Sequence, residues 1–329
     1  MMPLSEKAAR ILVVALVAGL LLGAGIARWA SQAGVVEIHA RMPENGGWLP
    51  GDIQAVVGEP LKLRLISDDV MHGFAIGKSD EPSLDVRPGQ ATETTLFFDQ
   101  PGKYTYYCTR WCGINHWRMR GTIEVTGPGM VQAGEPPLYV RLGLDIDAAH
   151  EAEVIPAQRP SASRGAGLLE IIPADYRSLA YYQTHSPAET WQALRAESGL
   201  SELADDQLWD AVAALWQSQS SAQALEQASQ LYSANCAACH GESGKGDGVF
   251  AHPTEEGEMP GHEEMMGMKQ PPDFTDPAHM LGASPAVLHG KIVRGGMGTG
   301  MPYWGPIFND EQIWALVSYL WTFQFDGGG

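Results

Sequence analysis

The sequence predicts a multidomain chain: a single N-terminal transmembrane helix, then an all-β sandwich, then an all-α domain. Three observations predict it. An uncharged apolar run extends from Ile11 to Ala27. Between Val35 and Val125, short β-rich runs alternate with turns marked by Gly and Pro. From Pro187 onward, stretches free of internal Gly and Pro carry helical periodicity. With 329 residues the chain has room for two or more domains, since a domain usually holds about 100–200 residues.

The apolar run has Lys7 and Arg10 before it and Arg28 and Trp29 after it. It sits near the lower end of the roughly 17–25 residues that cross a bilayer, and Leu4–Ala30 extends it with snorkelling ends. Residues 1–34 are therefore read as the membrane anchor. A cleaved signal peptide is the rival reading; its apolar core would be only about 7–15 residues, and Ala30, Ser31, Gln32 and Ala33 offer a small-residue cleavage stretch. Either way Lys7 and Arg10 stay in the cytoplasm and everything after Arg28 is exported.

Residues 35–126 read as the sandwich, with runs at Val35–His39, Leu61–Ile66, Thr92–Phe98, Tyr104–Tyr107 and Thr122–Val125. Residues 127–221 read as a linker and helical region, with Arg159–Gly167 as flexible linker sequence. Helices are expected over Ala188–Ser198, Asp205–Gln217 and Ala222–Asn235. Asp205–Trp216 (DDQLWDAVAALW) aligns without gaps on Asp310–Trp321 (DEQIWALVSYLW). Two explanations stand: residues 168–220 are a degenerate cytochrome-like unit without a haem motif, or two amphipathic helices share residues by chance.

Acidic residues outnumber basic ones, 39 to 21, for a net charge of −18. That balance excludes nucleic acid as a partner and favours cationic proteins, whose approach it would steer in a salt-dependent way. The four cysteines form two close pairs, Cys108 with Cys112 and Cys236 with Cys239. Both spacings suit cofactors rather than a disulfide framework.

The first pair lies in Cys108-Thr-Arg-Trp-Cys112-Gly-Ile-Asn-His116-Trp-Arg-Met119, with His72 upstream in Asp69-Val-Met-His72-Gly-Phe74. Thiolate, thioether and imidazole ligands together select copper. Two thiolates four residues apart can bridge two coppers, each taking one histidine. The alternative is a Cys108–Cys112 disulfide beside ordinary histidines, which does not ask for His and Met after the second cysteine. Trp111, Trp117 and Trp48 are read as packing residues, with electron entry to the copper as the competing role.

Over residues 35–126 the sequence resembles the CuA domain of subunit II of haem-copper oxidases, a cupredoxin fold. The family pattern C-x-E-x-C-x-x-x-H-x-x-M is matched at Cys108, Cys112, His116 and Met119, with His72 in place of the upstream histidine. Arg110 stands where many members have Glu. The resemblance implies a dinuclear CuA centre held by His72, Cys108, Cys112, His116, Met119 and the backbone carbonyl of Arg110. A Glu side-chain role in holding a structural metal between subunits is lost. The single anchor is similar to the oxidase branch whose subunit II has one transmembrane helix.

Cys236-Ala-Ala-Cys239-His240 is a c-type haem attachment motif: two thioethers to the haem vinyl groups and His240 beneath the iron. It ends a helical segment, and Gly298-Thr-Gly300-Met301-Pro302 and a closing helix over Asp310–Phe323 follow. That order resembles class I cytochrome c domains over residues 222–329, which implies a covalent haem c with Met301 as the sixth ligand; Met297 is its rival. A Met/His pair leaves no open coordination position, which suits electron transfer. Tyr232 and Tyr319 are expected to pack the first helix on the last. His252–Met268 (HPTEEGEMPGHEEMMGM) is read as an acidic surface loop.

Together the two resemblances imply an electron-transfer subunit II of a cytochrome c oxidase, a non-catalytic part of that oxidoreductase. It would lie in a bacterial cell membrane, single-pass, with a cytoplasmic N-terminus and both cofactor domains on the periplasmic or extracellular side. The implied partners are an integral-membrane catalytic subunit I with haems, a soluble or membrane cytochrome c or similar donor, and membrane lipid. Two alternatives remain: the CuA subunit of a nitric oxide reductase of the same superfamily, and a free membrane-tethered electron carrier.

Overall fold

Alternation of buried and exposed side chains shapes the N-terminal half of the molecule. The computed structural model describes residues 13–17, 34–113, 115–130, 135–251, 270–296 and 299–326. The chain divides into two compact units, one of Met1–Phe74, Pro82–Tyr104 and Cys108–Val131, the other of Ala75–Glu81, Thr105–Tyr107 and Gln132–Gly329. Residues 13–17 are helical. Among the described residues no helix is long and apolar enough to cross a membrane. Apart from residues 13–17, the expected anchor at Ile11–Ala27 lies outside the described residues, as do His252–Met268 and Met297.

The first sheet has the order β2-β1-β4-β7, with β1 at Val35–Ala40, β2 at Trp48–Leu49, β4 at Leu61–Ser67 and β7 at Thr92–Leu96. β1 runs parallel to β4, Val35 opposite Lys62, and β4 antiparallel to β7, Leu61 opposite Leu96. The second sheet has the order β3-β9-β8-β5-β6, with β3 at Asp52–Val56, β5 at His72–Ile76, β6 at Leu84–Val86, β8 at Gly102–Tyr107 and β9 at Arg120–Thr126. Period-2 burial fixes the register, because a slip of one residue would turn each apolar set to water. In β4, Leu61, Leu63 and Leu65 are buried while Lys62 is exposed; in β9, Ile123 and Val125 are buried while Glu124 is exposed. Ile38, Phe74 and Val86 are buried as well. Each such apolar side chain contributes roughly 1.5–3 kcal/mol when fully buried.

The C-terminal half is helical, and its helix starts are written in the sequence. Ser186 accepts from the Glu189 amide while Glu189 accepts from the Ser186 amide, opening the helix Pro187–Ala196. Asn309 and Gln312 make the same reciprocal pair before Asp310–Leu320. Ser221 caps Ala222–Asn235. Each such cap is worth about 1 kcal/mol. The helix Asp205–Gln217 buries Leu208 to Trp216 continuously. Asp310–Leu320 instead buries one stripe, Ile313, Leu316, Val317 and Leu320, the i, i+3, i+4, i+7 spacing of a core-facing helix. A 3₁₀ turn over Trp321–Phe323 follows.

One expectation is corrected. Arg159–Gly167 is not a flexible linker: Ala162–Gly165 is helical, with Ala162 and Gly165 buried. The Ser161 amide and the Arg164 guanidinium both donate to the buried Asp210 carboxylate. The Ser, Gly and Arg composition that suggested flexibility serves here for close approach and an ion pair.

Candidate copper and haem sites

Two segments of the second sheet bring five soft donors together. β5 begins at His72, which is fully buried, and the loop Cys108–Met119 joins β8 to β9. His72 Nδ1 lies 3.8 Å from Cys108 Sγ, and Cys108 Sγ lies 3.7 Å from Cys112 Sγ. Cys112 Sγ lies 3.5 Å from His116 Nδ1 and 3.6 Å from Met119 Sδ. The ligand atoms of His72, Cys108 and Cys112 all fall within 4.8 Å of one another. Both cysteines are free thiols, so the disulfide alternative does not apply. Cys108 Sγ is 3.1 Å from the Arg110 carbonyl oxygen, while the Arg110 guanidinium reaches Asp85 at 2.9 Å.

Local contacts hold this loop in place. The Cys108 amide donates to the Met119 carbonyl at 3.0 Å, closing the loop on itself. Trp48 donates its indole N–H to the same carbonyl at 3.2 Å and is buried, so it serves packing and positioning. Gly73 is where β5 touches the loop: a Cβ there would lie 2.0 Å from Thr109 Oγ1 and 3.1 Å from the Arg110 amide nitrogen. Only glycine permits that approach. Trp111 is half-exposed beside His116, ring centroids 5.5 Å apart.

Asp69 is the residue that sequence reasoning left without a role. Its Oδ1 lies 2.7 Å from His72 Nε2, on the ring edge opposite the sulfur. Its position three residues before a candidate ligand histidine was the available signal, because a ligating imidazole commonly gives its second N–H to a carboxylate. Burial works to raise the Asp69 pKa, but the Met42 amide and His72 hold it below the usual carboxylate range. Burial works against a charged His72, yet Cys108 and Asp69 raise its pKa overall. The Cys108 thiol is driven far down by the hydrogen bond to Cys112, and Cys112 is pushed up by the same bond and by burial.

The donor set fits copper. Zinc takes thiolate, imidazole and carboxylate, whereas a thioether and a backbone oxygen beside Cys and His belong to copper chemistry.

The second site follows the Ala222–Asn235 helix. Cys236 ends that helix, and Ala237–His240 forms one further turn, closed by Gly241 at φ +75°. A Cβ on Gly241 would meet Asp247 Oδ1 at 2.1 Å. Tyr232 donates its hydroxyl to the Gly241 carbonyl at 2.8 Å, and its ring lies 5.2 Å from that of Tyr319. Phe274 stacks on His240 at 4.6 Å, with Phe323 beyond it. Burial pushes the His240 pKa down to about 4, the Pro272 carbonyl opposing it. Burial also pushes the Cys236 thiol up to about 12 and raises Cys239. These are neutral thiols beside a neutral imidazole, unlike the first pair. A half-buried imidazole stacked on an aromatic wall, next to two half-buried thiols, fits a haem-binding turn. Met301 is half-buried in the loop after Pro285–Arg294, its carbonyl accepting from the Gly296 amide at 3.1 Å.

Comparison with known proteins follows this division. Residues 47–126 match the family model described as cytochrome c oxidase subunit II, periplasmic domain. Residues 225–324 match the cytochrome c family. One stretch is thus similar to a subunit II periplasmic domain and a later, separate one to a cytochrome c domain. A 79-residue stretch of the chain is 33% identical to cytochrome c oxidase subunit 2 of Thermus thermophilus, covering 24% of this chain and 58% of that protein. A 106-residue stretch is 32% identical to the cbb3-type cytochrome c oxidase subunit FixP of Azorhizobium caulinodans, covering 32% of this chain and 28% of that protein. The chain therefore spans less than two thirds of each of these relatives. The solved periplasmic domain of subunit II of cytochrome oxidase from Bradyrhizobium japonicum aligns at 18% identity over 28% of this chain and 83% of that chain, with a TM-score of 0.25.

Proposed function

We propose that this chain is the electron-entry subunit II of a cytochrome c oxidase. The observation that supports it most is the buried cluster of His72, Cys108 and Cys112, flanked by His116 and Met119, on a chain that also carries Cys236-Ala-Ala-Cys239-His240. His72, Cys108, Cys112, His116, Met119 and the Arg110 carbonyl hold a dinuclear copper CuA centre. Cys236 and Cys239 would hold a haem c covalently, and His240 and Met301 would ligate its iron. When bound, the two groups supply one-electron redox steps that take electrons from an external donor and hand them to a catalytic subunit I, where oxygen is reduced.

The side chains prepare these sites. Asp69 orients His72 and favours its Nδ1 as the ligating nitrogen. Gly73 brings the histidine strand onto the cysteine loop, and Trp48 fixes the Met119 backbone. Phe274 and Phe323 exclude water from the His240 side of the haem turn. The acidic surface, net charge −18, recruits a cationic cytochrome c-type donor at a salt-dependent rate. The apolar run Ile11–Ala27 anchors the chain once in a bacterial cell membrane, with both cofactor domains on the periplasmic side.

The test is metal and haem content with spectroscopy. The full-length protein should carry two coppers with a mixed-valence signal and one covalent haem. Cys112→Ser should abolish the dicopper signal and leave the haem absorption intact. An unchanged copper spectrum in that variant would rule out the site.

A further inference from the structure

Two stretches of the C-terminal half fold alike. The likeness of Asp205–Trp216 to Asp310–Trp321 continues upstream, where Ser186-Pro187-Ala188 and Ser284-Pro285-Ala286 open the preceding helices, each with Ser as N-cap and Pro in the first turn. One stacked ring pair corresponds in the two stretches. Trp191, five residues after Ser186, stacks on Trp209 at 5.8 Å and 22°. His289, five residues after Ser284, stacks on Trp314 at 4.3 Å and 27°, and Trp209 and Trp314 are aligned positions. Leu194 and Ile292, each eight residues after the serine, are buried, as are Tyr182 and Met280, each four before it.

The last helix of each stretch is also packed by an earlier one, Asp205–Gln217 by Ala162–Gly165 and Asp310–Leu320 by Ala222–Asn235. In the first pair Gly165 has no room for a side chain, since a Cβ would lie 1.9 Å from the Asp210 carbonyl oxygen. In the second, Ala228 is fully buried. Haem chemistry is what the first stretch lacks. No cysteine lies between Cys112 and Cys236. The connection before its last helix runs over residues 197–204, against 295–309 in the second stretch, where Met301 lies.

The two stretches meet through equivalent residues. Trp216 and Trp321, which close the two aligned segments, touch edge to face at 6.3 Å and 83°. Contact of a residue with its own counterpart is the mark of an isologous interface. Tyr182 joins them, 5.6 Å from Trp216 and hydrogen-bonded to Ser318 at 3.4 Å. At the edge, the Ala162 amide donates to the Asp326 carbonyl and the Asp326 amide to the Pro160 carbonyl. Arg159 donates to the Thr322 carbonyl at 2.6 Å.

We propose that residues 161–217 are a haem-free copy of the cytochrome c unit and act as its permanent internal partner. The copy seats Trp216 on Trp321 and holds the C-terminal helix against the haem-bearing helix. The pairing rests on packing within the chain and does not depend on the identity of the terminal electron acceptor.

The experiment follows the haem unit of the full-length, haem-loaded protein by its methionine–iron absorption band and Soret circular dichroism during heating. Trp216→Ala should lower the midpoint by roughly 10 °C, as loss of a large buried ring does in a domain of this size. Trp216→Phe, which keeps a ring, should lower it by less than half as much, and carries the test if the alanine variant fails to accumulate. Gly165→Ala, which disrupts the haem-free copy away from the Trp216–Trp321 contact, should lower the same haem signal. Trp191→His writes the His–Trp pair of the haem unit into the copy and should be tolerated better than Trp191→Ala. Haem signals that melt at the wild-type temperature in the Trp216 variants and Gly165→Ala would overturn the pairing. Trp191→His as damaging as Trp191→Ala would overturn the equivalence.

Discussion

Replacing Asp69 with alanine removes the carboxylate whose Oδ1 sits 2.7 Å from His72 Nε2 and leaves a fully buried imidazole edge without its acceptor. A charge-assisted hydrogen bond of this kind contributes about 1.5–3 kcal/mol, and loss of a partner behind a ligating histidine typically weakens metal binding about 10–100-fold. Both routes give the same range, because a tenfold change is about 1.4 kcal/mol. Asp69 also accepts from the Met42 and Val70 amides at 2.6 and 2.7 Å, so the segment before β5 loosens as well. The assay is copper competition against a chelator of known affinity, read by the copper absorption, with protein concentration fixed independently. Asp69→Ala should bind copper about 10–100-fold more weakly, and Asp69→Asn, which retains an acceptor oxygen, should recover part of the loss. Copper affinity within twofold of wild type in Asp69→Ala would refute the carboxylate–histidine reasoning.

Three further predictions concern the fold around the sites. Gly73→Ala forces a Cβ to 2.0 Å from Thr109 Oγ1; overpacking of this kind costs about 1–3 kcal/mol, and equilibrium unfolding should show it together with copper loss and an intact haem spectrum. Tyr232→Phe breaks the buried hydrogen bond to the Gly241 carbonyl and should destabilise the haem unit by about 1 kcal/mol or more, measured by denaturant unfolding at the Soret band. Burial lowers the His289 pKa, Asp310 opposing it. The unfolded chain therefore takes up this proton near pH 6.5 while the folded chain does not, so stability falls as pH drops through that value. His289→Gln should flatten this part of the pH profile of thermal unfolding, and an unchanged slope would contradict it.

Much of this was legible in the sequence, for physical reasons. Strand runs with one wet face, such as Leu61–Ile66 and Thr122–Val125, announced themselves by alternation and fold as β4 and β9, one and three residues longer respectively. β5 was not read because His72 to Ala75 is buried without alternation, and β6 is only three residues long. Helices free of internal Gly and Pro were read to the residue at Asp205–Gln217 and Ala222–Asn235. The soft donors His72, Cys108, Cys112, His116 and Met119 come together as their spacing suggested, since a twelve-residue loop between paired strands has few ways to place two thiolates, an imidazole and a thioether. What spacing could not supply is what surrounds them. Gly73 beneath Thr109, Trp48 on the Met119 carbonyl and Asp69 behind His72 depend on strand pairing across the fold. Arg159–Gly167 misled because a crossing that requires glycine has the same composition as a flexible linker.

The most direct test of the electron-entry proposal is gas consumption by the intact complex, purified from its own membranes through this subunit and supplied with reduced cytochrome c. Rapid oxygen uptake with little nitric oxide turnover, alongside a co-purifying haem-bearing integral subunit, is the predicted result. Nitric oxide turnover without oxygen uptake, or neither activity with no partner retained, would contradict it.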